Sequence, residues 1–448
     1  MSQEVDASRI PELQGVVRLA LDAAIEAGAT QAEADASLQK GLTATVRLGE
    51  VETIEYQRDR GLGITVYFGH RKGSASTSDI SADAVRETVA KACAIARFTA
   101  EDECAGLADR DALAREFPDL QLDFPWAIEP EEATALAQRC EAAGRGVDER
   151  ISNSEGATVG TQRGVRVYGN THDFLAGYGS SSHSISCVLL AEDGDGMQRD
   201  YWYSTARDPA DLEDAEAIGR RAGERAVQRL GARRLATRQA AVLFAPEVAR
   251  GLFGHFIGAI RGGSQYRKAS FLLGAAGQQV FPAFVQMSER PHLPKGIASA
   301  VFDGEGVQTR DRELIAGGVL DGYVLGSYSA RKLGLKTTGN AGGLHNLLVA
   351  PSPGAPDLKA LLQQLGSGLL VTELMGQGVN GVTGDYSRGA TGFWVQAGEI
   401  AYPVQEVTIA GNLKEMFKRI VAIGSDIDVR GGIRCGSVLV DGMTIAGE

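Results

Sequence analysis

The chain has 448 residues, with 57 acidic against 45 basic and a formal net charge of −12. Such a balance disfavours a nucleic-acid binder, whose affinity comes from neutralising phosphates, and disfavours attachment to an anionic membrane. The length suggests two or three domains, and 57 glycines against 13 prolines point to tight turns and hairpins rather than disordered linkers.

The start, MSQEVDASRI, lacks the basic region and apolar core of a signal peptide. No apolar run reaches the ~20 residues that span a bilayer, so the cytoplasm is the expected compartment. ELQGVVRLALDAAIEAG places Leu13, Val17, Ala20, Ala24 and Ala27 on one helical face, with Gly28 as a stop. The runs TATVRL and VETIEYQ, joined at Gly49-Glu50, and then LGITVYF have strand composition. Ser81 is a candidate cap for a second helix through VRETVAKACAIA, whose stripe is Val85, Val89, Ala92 and Ala96.

An acidic, proline-containing stretch, 101–130, leads to a recurrence of the same plan. EPEEATALAQRCEAAG is a helix with Pro130 in its first turn. The strand-like runs ATVGT, GVRVYGN, FLAGYGSSS, SISCVLLAE and RDYWYSTA follow, and Asp208-Pro209 would open a closing helix. Residues 1–235 are thus expected to form a duplicated helix–hairpins–helix unit, with halves at about 1–100 and 130–231.

A basic break at 232–239 precedes AAVLF, a buried strand, and Pro246 would start a helix through 261. Beyond it, IASAVF, GYVLGSY, HNLLVA, GLLVTEL, TGFWVQ, EVTIAGN and GSVLVDG alternate with glycines, and KEMFKRIVAIG adds one helix. Residues 236–448 are therefore expected to be sheet-rich, which makes the whole an α+β chain.

Chemistry is sparse by motif. No phosphate loop or Gly-x-Ser-x-Gly elbow occurs. Ser329 and Lys332 match Ser-x-x-Lys without its partner motifs. Five scattered cysteines (Cys93, Cys104, Cys140, Cys187, Cys435) form no Cys-x-x-Cys pair, so reduced thiols are expected. The six histidines, His70, His172, His183, His255, His292 and His345, include no pair at i, i+4. His255, in GLFGHFIGAIRGG, reads first as a histidine packed on a partly apolar helix and second as a group facing a partner's site or a peptide. Arg261, Arg267 and Lys268 read as solvated charge, or as a dock for a carboxylate or an acidic partner.

Several stretches resemble the TldD/PmbA metalloprotease family. They are APEVARGLFGHFIGAIRGGSQYRK, VFDGEGVQTRD, SYSARKLGLKTTGNAGG, ELMGQGVNGVTGDYSRGATGFWVQAGEI, EVTIAGNLKEMFKRIVAIGSD and RCGSVLVDGMTIAG. The last resembles the PmbA (TldE) branch. The resemblance implies that 236–448 is a metalloprotease-like domain. It also implies a soluble complex with a zinc-bearing TldD-like subunit, acting on unfolded or modified peptides. TldD-type chains carry His-Glu-x-x-x-His on the helix after the first C-terminal strand, and a distant cysteine completes the zinc ligands.

Carried over, the first histidine position is Gly254, the glutamate position is His255 and the last histidine position is Ala259. Cys435 lies in the region of the third ligand. No zinc is therefore expected in this chain, and zinc is expected in the partner. Thr383, Asp385 and Arg388, in the glycine-punctuated stretch 371–393, are candidates for lining a peptide cleft. Two alternatives stand beside a supporting subunit. One is an autonomous peptidase using Cys435 or a metal site not visible in the sequence. The other is a non-proteolytic peptide-binding regulator, and a homodimer is a further possibility for the isolated chain.

Overall fold

The computed structural model describes residues 4–194 and 196–447. Helix α1 (Ile10–Glu26) opens the chain, followed by β1 (Gln31–Arg47), β2 (Glu50–Phe68), β3 (Arg71–Thr77) and α2 (Ala82–Phe98). The second round is α3 (Pro130–Arg145), β4 (Asn153–Asn170), β5 (Phe174–Asp193), β6 (Gly196–Ala206) and α4 (Ala215–Gln228). The two rounds form one antiparallel sheet in the order β3-β2-β1-β4-β5-β6. Its join is β1 on β4, in unbroken register from Glu33↔Asn170 to Val46↔Ala157.

Alternation along β1 explains how the helices are arranged. Ala32, Ala34, Ala36 and Leu38 are buried under α1 and α2, and Leu42, Ala44 and Val46 are buried under α3 and α4. These positions are all even, so all four helices cover one face. The other face carries Tyr168 and Phe174, which pack with Phe302 and Val307 of the C-terminal half. The acidic stretch after α2 packs here too and is no loose tether: Leu107, Leu113, Leu120 and Leu122 are buried.

The C-terminal half begins with β7 (Arg238–Phe244), α5 (Pro246–Ile260), α6 (Gly262–Tyr266), β8 (Met287–Glu289), β9 (Arg312–Ala316) and β10 (Val319–Leu320). It continues with α7 (Ser327–Lys332), β11 (Leu347–Val349), α8 (Leu358–Leu365), β12 (Gly368–Met375), β13 (Asp385–Gln396) and β14 (Glu399–Asn412). Helix α9 (Leu413–Lys418), β15 (Ile420–Ile423), β16 (Ile433–Arg434) and β17 (Val438–Ala446) complete it. Strands β14-β13-β12-β7-β17-β15 form a sheet, and a further β14–β17 pairing closes it on itself. A smaller sheet, β10-β9-β8-β11-β16, stands beside it. Phe281 packs between Phe256 of α5 and Phe417 of α9, with centroids 5.1 and 4.8 Å away. The protein is thus α+β with a sheet-rich C-terminal half, and among the described residues no helix is long and apolar enough to cross a membrane.

Charge and aromatic stacking join the halves. Trp202 of β6 lies between two guanidiniums, with Arg221 of α4 at 3.5 Å and Arg430 at 3.9 Å from the ring centre. Arg430 also donates to the Tyr203 carbonyl at 3.0 Å, and Asp428 holds its Nε at 2.9 Å. Beside it, Arg225 binds both Asp200 (3.0 Å) and Glu247 of α5 (2.8 Å), and Arg229 binds Asp200 (3.2 Å) and Glu373 of β12 (2.6 Å). Enclosed charges stabilise a joint only when each has its counter-charge, and here Arg225, Arg229 and Arg430 each have one.

Five sequence expectations differ from the structure. The short runs of the N-terminal half fuse into strands of 17 to 20 residues. Within these strands glycine serves close packing: a Cβ on Gly73 of β3 would stand 2.2 Å from the Ala92 carbonyl oxygen of α2. Asp208-Pro209 opens only a single 3-10 turn, and Asp214 caps α4 through the Ala217 N–H. The Ser81 side chain makes no capping bond to α2. KEMFKRIVAIG divides, because α9 ends at Lys418 and Ile420–Ile423 pairs with β17. IASAVF and GYVLGSY form no strand, only an isolated bridge each at Phe302 and Val324.

Helix α4 sits on α3 so closely that a Cβ on Gly219 would lie 1.8 Å from the Cys140 carbonyl oxygen. Gly219→Ala should therefore destabilise the fold by about 2 kcal/mol or more, overriding the ~1 kcal/mol that alanine normally gains in a helix. Gly251→Ala, with open space around it, should be neutral or stabilising. Urea unfolding followed by circular dichroism measures both, and equal midpoints for the two variants would remove the packing argument.

Candidate functional site

The site is built on α5. Pro246 fits the first turn, where its missing N–H costs nothing. Leu252, Phe253, Phe256, Ile257 and Ile260 turn into the core. The outward stripe is Arg250, Gly254, Gly258 and Arg261, at spacings of four, four and three, which is one side of a helix. With no side chains at two of its four positions, the stripe leaves a hollow of about 450 Å3 against Leu344, Gly431, Gly432 and Ile433. At Gly258 and Arg261 this hollow meets a second, of about 570 Å3. There the walls are Gly262, Gly263, Gly342 and Gly343, the rings of Tyr266 and Tyr328, and the side chains of Arg267 and Glu305. The two rings stand edge to face at 5.7 Å. Together the hollows form a groove lined by glycine main chain, arginines and two phenols.

The motif-equivalent positions are not gathered at one point. Gly254 opens to the groove, whereas Ala259 is buried in the core. The Cys435 sulfur lies 4.0 Å from the Pro246 carbonyl oxygen at the start of α5. Gly254 is eight residues further on, ~12 Å along the axis at 1.5 Å per residue. Among the described residues no three His, Cys, Asp or Glu side chains stand close enough to share a metal ion. A hydrogen atom, a buried methyl and a distant thiol do not fit a tetrahedral zinc site. Cys435 is fully buried, and burial, with the negative charge of Asp428 adding to it, pushes its thiol pKa well up, the opposite of an activated nucleophile.

His255 faces another way. Its half-buried ring meets Tyr386 of β13 edge-on at 6.1 Å. Burial lowers the imidazole pKa below its ordinary 6.5, and the charge of Arg388 lowers it further, so the ring is neutral at pH 7. Tyr386 and Arg388 alternate onto the same face of β13. The Tyr386 hydroxyl is buried without a hydrogen-bond partner, and burial pushes its pKa up to about 12. Arg388 Nε donates to the Met375 carbonyl at 3.0 Å. Thus His255 and Arg388, chosen separately from the sequence, belong to one cluster.

Thr383 and Asp385 do not join it. They lie exposed at the start of β13, Thr383 on the turn before it and Asp385 as its first residue, where Thr383 Oγ1 donates to Asp385 Oδ2 at 2.6 Å and Asn412 donates to Asp385 Oδ1 at 3.1 Å. These bonds, first from Thr383 and then from Asn412, hold the Asp385 carboxyl below its usual pKa. Of the basic trio, Arg261 and Arg267 line the groove, and Lys268 is an exposed residue outside it. Ser329 and Lys332 are no catalytic pair: Ser329 donates to the Gly326 carbonyl, and Lys332 is bound to Asp102 at 2.8 Å.

Sequence reasoning missed Arg250, Tyr266, Tyr328, Glu305 and Tyr386. The four-residue spacing of Arg250, Gly254 and Gly258 was the one available signal. The rest come from segments that only the fold brings to α5.

Comparisons with known proteins agree over most of the chain. Family models described as PmbA/TldA metallopeptidase domain 1, central domain and C-terminal domain match residues 32–96, 123–230 and 237–447. The chain is 51% identical to the metalloprotease PmbA of Escherichia coli O157:H7, covering 93% of this chain and 92% of that one. It is 48% identical to the PmbA homologue of Haemophilus influenzae, covering 98% and 96%. Its fold superposes on a crystal structure from Bacteroides thetaiotaomicron described as a putative modulator of DNA gyrase. The TM-score is 0.92 at 26% identity, covering 98% of this chain and all of that one. Thermococcus kodakarensis TldE shares the fold, with a TM-score of 0.83 at 19% identity, covering 97% and 99%.

Two outcomes follow from the site's electrostatics. Arg388→Gln should raise the His255 pKa while leaving it below 6.5, because burial is the larger cause; NMR titration of the ring, assigned with His255→Asn, measures it, and an unmoved pKa would show that the charge does not reach the ring. In the native protein Cys435 should react with an aromatic disulfide reagent much more slowly than half-exposed Cys104, as mass spectrometry of the labelled thiols would report.

Proposed function

The chain belongs to the PmbA/TldD metallopeptidase family, and from that premise we propose that it is the non-zinc subunit of a two-chain peptidase. In this reading it holds an extended, unfolded or modified peptide in the α5 groove and presents it to a TldD-type partner, which supplies the metal. The observation that carries the reading is the glycine stripe itself. Where the resembled motif would place a zinc-binding imidazole there is Gly254, and the hollow so opened adjoins a second one at Gly258 and Arg261.

The groove's chemistry suits a peptide. Arg250, Arg261 and Arg267 offer guanidiniums to carbonyl oxygens or a terminal carboxylate. Glu305 can receive an amine, and Tyr266 and Tyr328 offer flat apolar surface. None of these groups activates water, so hydrolysis is assigned to the partner. The neutral imidazole of His255 has no metal-bound water to deprotonate; it serves as a positioning group beside Tyr386 and Arg388. Buried Cys435 gives no support to an autonomous cysteine peptidase. A regulator that binds peptides without any proteolytic partner would use the same groove and differs only in lacking that partner.

The test uses the purified chain, a TldD-type chain bearing His-Glu-x-x-x-His, and the pair, assayed on an unfolded peptide with metal analysis. The isolated chain should hold no stoichiometric zinc and cleave nothing, while the pair should be active. Gly258 has open space around it, so Gly258→Phe should fill the groove without unfolding the chain. It should lower the pair's kcat/KM by roughly tenfold or more while leaving pair formation intact. Stoichiometric zinc with peptidase activity in the isolated chain would sink the proposal.

A further inference from the structure

Two arginines of the α5 groove stand without an acid. Arg261 follows the end of α5 and Arg267 the end of α6, and both line the hollow of about 570 Å3. Among the described residues the Arg261 side chain has no hydrogen bond and no ion pair. Arg267 has one bond, from Nη1 to the Tyr266 hydroxyl at 3.0 Å, and its guanidinium lies 5.2 Å from the centre of that ring. Neighbouring arginines are engaged. Arg250 donates to the Tyr203 hydroxyl at 3.1 Å and lies 3.9 Å from Asp428. Arg312, which donates to Asn340 in the wall of the hollow at 2.9 Å, is bound to Glu289 at 2.7 Å. Acidic residues exceed basic ones in this chain, which has a net charge of −12. Two guanidiniums left without a carboxylate in one hollow therefore point to a carboxylate from outside.

Both guanidiniums lie beside bare main chain. A Cβ on Gly343 would stand 2.8 Å from Arg261 Nη2, and one on Gly263 would stand 3.1 Å from Arg267 Nη2. Glycine at these two positions keeps both forks clear. The rest of the hollow restricts which carboxylate fits. Glu305 is also in its wall, with Oε2 accepting the Ser327 N–H at 2.9 Å. Glu305 repels a second negative charge and accepts N–H donors. A terminal carboxylate meets both conditions, because it brings one charge and the N–H of its own peptide unit. A run of acidic side chains does not. Tyr266 and Tyr328, edge to face at 5.7 Å, offer flat surface to the last side chain without selecting its type.

We infer that this hollow is a receptor for the free C-terminal carboxylate of a short peptide, held by Arg261 and Arg267 in charge-assisted hydrogen bonds. The inference rests on the proposed peptide-holding role and gives it an end and a direction. The carboxyl end lies between Arg261 and Arg267, and the rest of the peptide runs past Gly258 into the adjoining hollow at Gly254. Hydrolysis of a peptide bond takes up one water and leaves one new carboxylate and one new amine. Each cut therefore makes a fragment bearing the group this hollow takes, whereas an intact chain carries that group once. The ligand class is thus the short peptide acids that a peptidase releases.

The experiment measures binding of a short fluorescent peptide to the full chain by anisotropy. The peptide is used in three forms: free acid, C-terminal amide, and an amide whose last residue is glutamate. The acid should bind about tenfold or more tighter than either amide. Arg261→Gln with Arg267→Gln should abolish that difference. Both side chains are exposed, so the variant should fold, as circular dichroism would verify. Equal binding of all three forms overturns the inference, and so does an acid preference that survives the double variant. A glutamate-ended amide that binds as tightly as the acid overturns it too, because the site would then take any carboxylate. In these three outcomes the peptide still binds, and the holding role stands. Binding of no form up to about 1 mM removes the holding role and the inference together.

Discussion

The pairing of β1 with β4 is the constraint on which the rest of the molecule rests. Because it runs unbroken from Glu33↔Asn170 to Val46↔Ala157, two similar rounds of chain become one sheet rather than two. Alternation along β1 then puts every small apolar side chain on one face, and all four helices must go there. The opposite face is left to Tyr168, Phe174 and Glu33, and there the C-terminal half settles through Phe302 and Val307. The position of α5, and so of the groove, follows from that placement.

Charge fixes the placement in detail. Trp202 between Arg221 and Arg430, and the Asp200–Arg225–Glu247 and Arg229–Glu373 pairs, fasten β6 and α4 to α5 and β12. Glu247 lies in the first turn of α5, and Arg250, one turn later, reaches the Tyr203 hydroxyl at 3.1 Å. The first half of α5 is therefore held by the N-terminal sheet, while its second half forms the groove wall. A further buried acid, Asp303, accepts N–H bonds from Glu305, Val307 and Ala341. Burial still pushes its pKa up to about 7, so the joint also carries a group that titrates near neutrality.

Much of this was legible in the sequence. The helical stripes of α1 and α2, the helix opened by Pro246 and the doubled helix–hairpins–helix plan all follow from periodicity, because one-sided burial writes its period into the residues. Strand lengths were not legible. Gly63, Gly164 and Gly179 look like turn residues, yet they stand within strands, where their lack of a side chain serves packing and close approach. The site was legible in part. His255 and Arg388 stood out as polar residues in glycine-rich surroundings, but nothing in sequence spacing links position 255 to 388. Only the pairing of β12, β13 and β7 brings them together around Tyr386. Tyr266, Tyr328 and Glu305 come from three further segments and carry no local signal.

A groove walled by Gly254, Gly258, Gly342, Gly343, Gly431 and Gly432 has few side chains with which to tell one sequence from another. It offers much the same width and the same main-chain surface to any occupant. What it can refuse is bulk in the wrong place, such as a folded helix or a packed domain. In the proposed peptide-holding role, its discrimination would therefore be by conformation rather than by sequence.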